Sequence, residues 1–284
     1  MSIRNNEDRL GAKNPVDDPI PATQADTGGA TFAYVTPTEH VEIPSGGKYY
    51  PAGHPLHNES TIEIRYMTAK DEDIMTSPSL IKKGLVLDRL LKSVIVNKNI
   101  NPDSLLVGDK NAILTETRIT GYGSEYSVTV TCPICGSNEK HNFDLEEAKR
   151  LESGEVCESV EHVSGDLFST VLPTTKVTVE FGLLTGADEK KILQLVESKK
   201  KKNLPETAFT DQLRMIIRTV NGSPRLEHIN DLISNMPIPD GRHLRKVYNT
   251  VSPDLHLKTS YTCGACNSEE EVDLPLTAEF FWPR

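Results

Sequence analysis

Apolar residues in this chain fall into two periods, which switch back and forth from about residue 41 onward. Between residues 61 and 67, Ile62, Ile64 and Tyr66 occupy every second position, as in a strand with one buried face. Thr68-Ala-Lys-Asp71 follows with the composition of a capping box, whose side chains occupy the free amides of a helix start, and predicts a helix to about Met75. Ser77-Pro78 opens another helix, with proline at the first helical position, and Gly84 closes it. Leu87, Leu90, Leu91, Val94 and Ile95 share one face of residues 85–96, which makes that segment a core helix. The spacing predicts a further helix from Asp103 to about Ile119, with Leu105, Leu106, Ile113 and Ile119 inward, ended by Gly121-Tyr-Gly123.

Beyond residue 145 the pattern changes. Residues 167–172 and 176–183 read as two strands joined through Pro173. Residues 188–198, 206–220, 229–236 and 241–251 read as helices, broken by Gly222, Pro224, Pro237 and Pro239. Phe209, Leu213, Ile216, Ile217 and Val220 form one face of 206–220, an apolar stripe that reads as core. Residues 1–40 lack such periodicity and carry Pro15, Pro19, Pro21, Pro37 and the pair Gly28-Gly29. That composition buries too little surface to order itself, so a disordered tail or an extended arm ordered along a partner is expected there.

Two near-copies of one pattern carry the chemistry. Tyr126-Ser-Val-Thr-Val-Thr-Cys132-Pro-Ile-Cys135-Gly-Ser runs through Phe143 to Asp144-Leu145, and Tyr261-Thr-Cys263-Gly-Ala-Cys266-Asn-Ser runs to Asp273-Leu274. Two residues between cysteines let both thiolates face one point, about 2.3 Å from a shared zinc ion, and two such knuckles complete a tetrahedral set of four sulfurs. Cys132, Cys135, Cys263 and Cys266 are therefore the expected ligands of a structural zinc ion, with no position left open for water. Disulfides suit secreted chains, a thioredoxin-like pair would open a helix, and an iron–sulfur cluster is the next metal reading. Cys157 has no partner nearby and reads as an ordinary thiol.

Between Cys135 and Cys263 stand 127 residues, where a simple ribbon needs about 15–20. Something folded is therefore expected between the knuckles. The fold class that follows is α+β: a split four-cysteine zinc ribbon with a large mixed α/β insertion, a helical N-terminal region and an extended N-terminal arm. The expected segments are 1–40 for the arm, 41–124 for the mainly helical region with a short strand, 125–145 plus 255–284 for the ribbon and an aromatic tail, and 146–254 for the insertion. A metal joining the knuckles would fix both ends of that insertion, so a change at Cys263 is expected to loosen all of it.

With 284 residues, 37% apolar and 25% charged, the chain is compatible with a folded soluble protein. Its net charge of −10 argues against a broad nucleic-acid surface, and the basic run from Lys199 to Lys202 reads as a solvated helix end. No apolar run is long enough for a membrane span, and the polar N-terminus has no apolar segment of a secretory signal. Phosphate-cradling glycine loops and a Gly-x-Ser-x-Gly elbow are missing. His54 and His57 lie in a proline-containing loop without helical spacing, and Asp71, Glu72 and Asp73 suit a helix N-terminus better than acid–base chemistry. No enzyme, and no small-molecule substrate, is expected.

A longer set of motifs points to a family. Ile43-Pro-Ser-Gly-Gly-Lys-Tyr-Tyr50, His54-Pro-Leu56 and Met67-Thr-Ala-Lys-Asp-Glu-Asp-Ile-Met-Thr-Ser-Pro78 come first. Leu105-Leu-Val-Gly-Asp109-Lys-Asn-Ala-Ile113, Arg118-Ile-Thr-Gly-Tyr-Gly123, Cys132-Pro-Ile-Cys135 and the closing Phe280-Phe-Trp-Pro283 continue in order. Over residues 41–145 and 255–284 the chain resembles the T4-like bacteriophage baseplate hub assembly and structural proteins. The resemblance implies a non-catalytic part of a contractile tail baseplate, located in the virion and, during assembly, in the host cytoplasm. Its partners would be other tail proteins, with Phe280, Phe281, Trp282 and Pro283 as candidate contact residues because terminal aromatics are either core or interface. The rival reading is a nucleic-acid-binding zinc-ribbon protein such as a transcription factor, since ribbons serve many functions.

Overall fold

The computed structural model describes residues 35–205, 207–274 and 280. The arm expected over residues 1–40 lies outside the described residues as far as residue 34. Strand β1 (Thr38–Glu42) pairs antiparallel with β2 (Thr61–Arg65), the strand expected from the Ile62/Ile64 alternation, and both isoleucines are buried. The turns between them need Gly47 at φ +72°, where a Cβ would stand 2.4–2.5 Å from the Leu56 and Glu59 backbone. Helix α1 (Ala69–Thr76) begins as the capping box predicts, with the Asp71 carboxylate accepting from the Thr68 amide and hydroxyl, both at 2.8 Å. Helices α2 (Pro78–Lys82) and α3 (Val86–Val94) follow, and α3 buries Leu90, Leu91 and Val94 completely.

The helix expected from Asp103 starts later, as α4 (Val107–Tyr122). Residues Pro102–Ser104 form one 3-10 turn, and Leu105 and Leu106 are extended. Their backbone groups are partly engaged elsewhere: the Gly186 amide donates to the Leu105 carbonyl and the Leu106 amide to the Tyr50 hydroxyl. Gly123 ends α4 at φ +85°, its amide donating to the Ile119 carbonyl. Beyond the inward positions expected from sequence, residues 108–110 and 112–118 of α4 are all buried, polar ones included. Gly108 permits this, since a Cβ there would lie 2.1 Å from the Pro253 carbonyl oxygen.

Next come the hairpin β3 (Glu125–Thr131) and β4 (Asn138–Asp144), the short α5 (Leu145–Ala148), and β5 (Lys149–Glu152). Strands β6 (Glu161–Ser164), β7 (Leu167–Val171), β8 (Thr178–Gly182) and β9 (Ile217–Val220) form an antiparallel sheet in that order. Helix α6 (Gly186–Lys201) leads from β8 to α7 (Ala208–Ile216), and α8 (Leu226–Asn235) and α9 (Ile238–Val251) follow β9. The helix expected over 206–220 is thus two elements. Its β-branched end, Ile217-Arg-Thr-Val220, pairs with β8 and turns through Asn221 and Gly222, both at positive φ. Pro239, taken as a breaker, sits in the first turn of α9, where its missing amide costs nothing.

The chain closes with β10 (Asp254–Thr262) and β11 (Glu269–Asp273). Strand β10 serves two partners: residues 254–257 pair with β5, and residues 258–262 pair with β11. The β5–β10 ladder therefore holds together the two ends of everything between residues 152 and 254. Buried apolar residues from β1 through Phe280 pack as one cluster that draws on most of these segments. Among the described residues, no helix is long and apolar enough to cross a membrane.

Candidate metal centre

The turn of each hairpin, β3–β4 and β10–β11, carries one Cys-x-x-Cys pair, and the two turns have the same construction. The Cys132 amide donates to the Ser137 carbonyl at 2.8 Å and the Gly136 amide to the Cys132 carbonyl at 2.9 Å. At the second turn, Cys263 to Ser268 and Asn267 to Cys263 repeat both bonds at 2.9 and 2.8 Å. The fourth position after each first cysteine is left-handed, φ +74° at Gly136 and +55° at Asn267, which is why glycine and asparagine stand there. The tight turn swings both sulfurs of a pair to one side.

The hairpins bring the two pairs together. All four sulfurs lie within 4.8 Å of one another, with Cys132 Sγ 3.8 Å from Cys266 Sγ and Cys135 Sγ 3.6 Å from Cys263 Sγ. Tetrahedral sulfurs about 2.3 Å from one ion stand roughly 3.8 Å apart, so the spacing fits a four-thiolate metal site. It is far longer than a disulfide of about 2.05 Å. Cys132 and Cys263 are buried, and Cys135 and Cys266 exposed.

Two serines sit between the pairs. Ser137 Oγ is 3.3 Å from both Cys135 Sγ and Cys263 Sγ, and Ser268 Oγ is 3.1 Å from Cys266 Sγ and 3.6 Å from Cys132 Sγ. The contacts of Ser137 with Cys263 and of Ser268 with Cys132 favour thiolates. The Cys135 amide, aided by Ser268, brings the Cys132 thiol down to about 6, and Ser137 lowers Cys263. Cys266 is favoured as thiolate by Ser268 but goes up on balance, because desolvation and the neighbouring Cys135 and Cys263 sulfurs oppose a further charge. Glu139 adds a second support, accepting from the Gly264 amide at 2.9 Å and tying one turn to the other. Ser137, Ser268 and Glu139 were not singled out from sequence, although the serine recurs at the same offset in both copies.

The remaining candidates lie apart from the four-sulfur cluster. His54 stacks on Tyr50 at 4.5 Å and shares a 2.9 Å bond with Ser104, while His57 Nδ1 lies 2.7 Å from the Tyr50 carbonyl. Asp71 pairs with Arg65 at 2.7 Å. Lys199 is not a solvated end: it binds Asp211 and Thr207. Cys157 lies near Ser159, 3.1 Å away, apart from the four-sulfur cluster. Phe280 is fully buried against Tyr126, with ring centroids 5.2 Å apart; Phe281, Trp282 and Pro283 lie outside the described residues.

The separated motifs meet in two buried polar nodes at the ends of α4. At its start, Asp109 accepts from the Ser45 amide (2.9 Å), the Ser45 hydroxyl (2.6 Å) and the Tyr50 hydroxyl (2.6 Å). Tyr50 in turn accepts from the Leu106 amide at 3.1 Å. Near the other end, Arg118 donates to the carbonyls of Phe280 (2.8 Å), Gly123 (2.6 Å) and Glu125 (3.1 Å). Each charge sits at the pole of the helix dipole that favours it. The motifs Pro-Ser-Gly-Gly-Lys-Tyr-Tyr, Gly-Asp-Lys-Asn and Arg-Ile-Thr-Gly-Tyr-Gly thus meet in hydrogen-bonded nodes at the two ends of α4.

A search of curated proteins and a search of solved structures each returned no significant match. A scan against family models matches residues 36–282 to the model described as T4 bacteriophage base plate protein. That match covers both hairpins, both nodes and the elements between them, and the chain belongs to the T4 bacteriophage base plate protein family.

Proposed function

We propose that the chain is a structural or assembly component of a contractile phage tail baseplate, in its hub, and that it works through protein–protein contacts without catalysis. The observation that carries this reading is the family match over residues 36–282. Within it, the four-sulfur cluster is read as a structural zinc site of a split ribbon, because four thiolates fill a tetrahedral ion and leave no place for substrate or water. The contacts are assigned to the N-terminal arm and to Phe281, Trp282 and Pro283, with Phe280 anchoring that end in the core. Virion tail and, before that, host cytoplasm are its places of action.

The test is quantitative mass spectrometry of purified particles and of baseplate intermediates, alongside a deletion of residues 1–38. A built-in component is present in particles at fixed proportion, and an assembly factor only in intermediates. The deleted chain should fold yet enter baseplates poorly. Absence of the full chain from both fractions would overturn the reading.

A further inference from the structure

A groove of about 910 Å³ runs between β1 and β5, floored by Ala112 and Glu116 of α4 and by Leu255 of β10. Its two walls are strand edges. The only partner of β1 among the described residues is β2, and β5 is the terminal strand in the order β11-β10-β5. The bonds flanking the β1–β2 ladder run from Tyr66 to Pro37 and from Ile43 to Ser60, so Glu39 and Val41 exchange backbone bonds with β2. The backbone groups of His40 and Glu42 therefore point away from β2, toward the open edge. Unpaired edges are templates for another strand, and proteins usually blunt them with charge.

The charge here has one sign in excess. Six carboxylates line the groove against Lys149, Arg150 and Lys258. Lys149 is already paired with Glu116 and Glu146, and Lys258 with Glu152. Glu42 and Glu271 have no ion-pair partner among the described residues. The two faces of β1 also differ: Val41 is buried on the α4 side, whereas His40 and Glu42 are exposed.

From the open edge, the surplus carboxylates and the two-faced wall we infer that the groove takes an extended segment of another baseplate protein, alternating apolar and basic residues, as an added strand on β1. This rests on the baseplate reading and names the chemistry of one partner. Main-chain bonds to His40 and Glu42 supply the attachment, apolar side chains turn toward Val41 and α4, and Lys or Arg side chains meet Glu42 and Glu271.

The test uses the full chain and a short synthetic peptide alternating lysine and valine, with a glutamate–valine peptide as control. The lysine peptide should bind, slow hydrogen exchange at the His40 and Glu42 amides, and weaken as salt is raised. Glu42→Lys should weaken it about tenfold through like-charge contact. His40→Pro, which removes an edge donor but no β1–β2 bond, should abolish binding; unchanged thermal unfolding certifies its fold, and Glu42→Lys decides alone if it misfolds. No binding, equal binding of the glutamate peptide, or binding indifferent to the deciding variants overturns the inference. In phage, both variants should enter baseplates poorly. Their incorporation at the unsubstituted level would sink the groove and leave the baseplate reading intact, whereas absence of the unsubstituted chain would sink that reading itself.

Discussion

Removing the metal proposed for the four-cysteine site should loosen the knuckles and spare the insertion. From sequence alone, a metal joining Cys135 to Cys263 closes a loop of 128 positions. The structure supplies a second closure, since Lys149 pairs with Leu257 in the β5–β10 ladder. With that ladder formed, the metal closes only the fourteen positions from Cys135 to Lys149 and the six from Leu257 to Cys263, about twenty in all. Loop entropy grows as (3/2)RT ln n, so the metal contributes about 1.6 kcal/mol less than the open chain suggests. Cys263→Ser, or chelation, should abolish metal binding and speed exchange of the Cys132, Gly136 and Asn267 amides, whose bonds build the turns. Amides in β7 and β8 should change by less than about tenfold, because their opening does not pass through the knuckles. Hydrogen exchange read by mass spectrometry separates the two regions. Equal acceleration of the knuckles and of β7–β8 would refute the argument and restore the metal as the sole closure.

Three further outcomes are expected. Asp109→Ala strands three buried donors from Ser45 and Tyr50, so urea unfolding should register a loss of about 3–5 kcal/mol; less than about 1 kcal/mol would contradict the node. Arg118→Met removes three charge-assisted bonds and leaves the Phe280, Gly123 and Glu125 carbonyls without that donor, for a loss of about 2–4 kcal/mol in the same assay. Acid sensitivity should trace in part to Asp71, where burial alone would raise the carboxyl but Arg65, Ser93 and Thr68 hold it well below the ordinary 3.8; Asp188, Asp211 and Asp240 are lowered as well. A folded-state value below the unfolded one gives stability that is present above pH 3.8 and lost as pH falls toward the folded value, so Asp71→Asn should flatten the acid limb of the unfolding midpoint. Asp109 works the other way: burial raises it, so its contribution falls as pH rises above 3.8.

Local rules were legible where one residue type answers one geometric demand. Thr68 with Asp71 announced the start of α1, Gly123 marked the end of α4, and the cysteine spacing announced the cluster. Legibility failed where partners are distant or elements short. Ile217–Val220 fits a helix face as well as a strand, and only pairing with β8 decides between them. Lys149-Arg-Leu-Glu152 has no alternation because it is held by backbone bonds to β10, not by its side chains. The burial of the polar residues of α4 was not legible, because Asp109 meets Ser45 across 64 positions and Arg118 meets Phe280 across 162. Composition says nothing about such meetings, which the fold alone creates.

The separation of the two half-sites also has a meaning in time. A pair of thiolates holds only half of a tetrahedral ion, and the second pair lies 128 positions further along the chain. At synthesis rates of about 5–20 residues per second, Cys263 is made roughly 6–26 s after Cys135. Over that interval α5 through α9 are synthesised, and β7 can pair with β8 before any second knuckle exists. Capture of the proposed metal by all four sulfurs would thus be confined to the end of synthesis, and a chain truncated within the insertion would keep its first two cysteines open to oxidation.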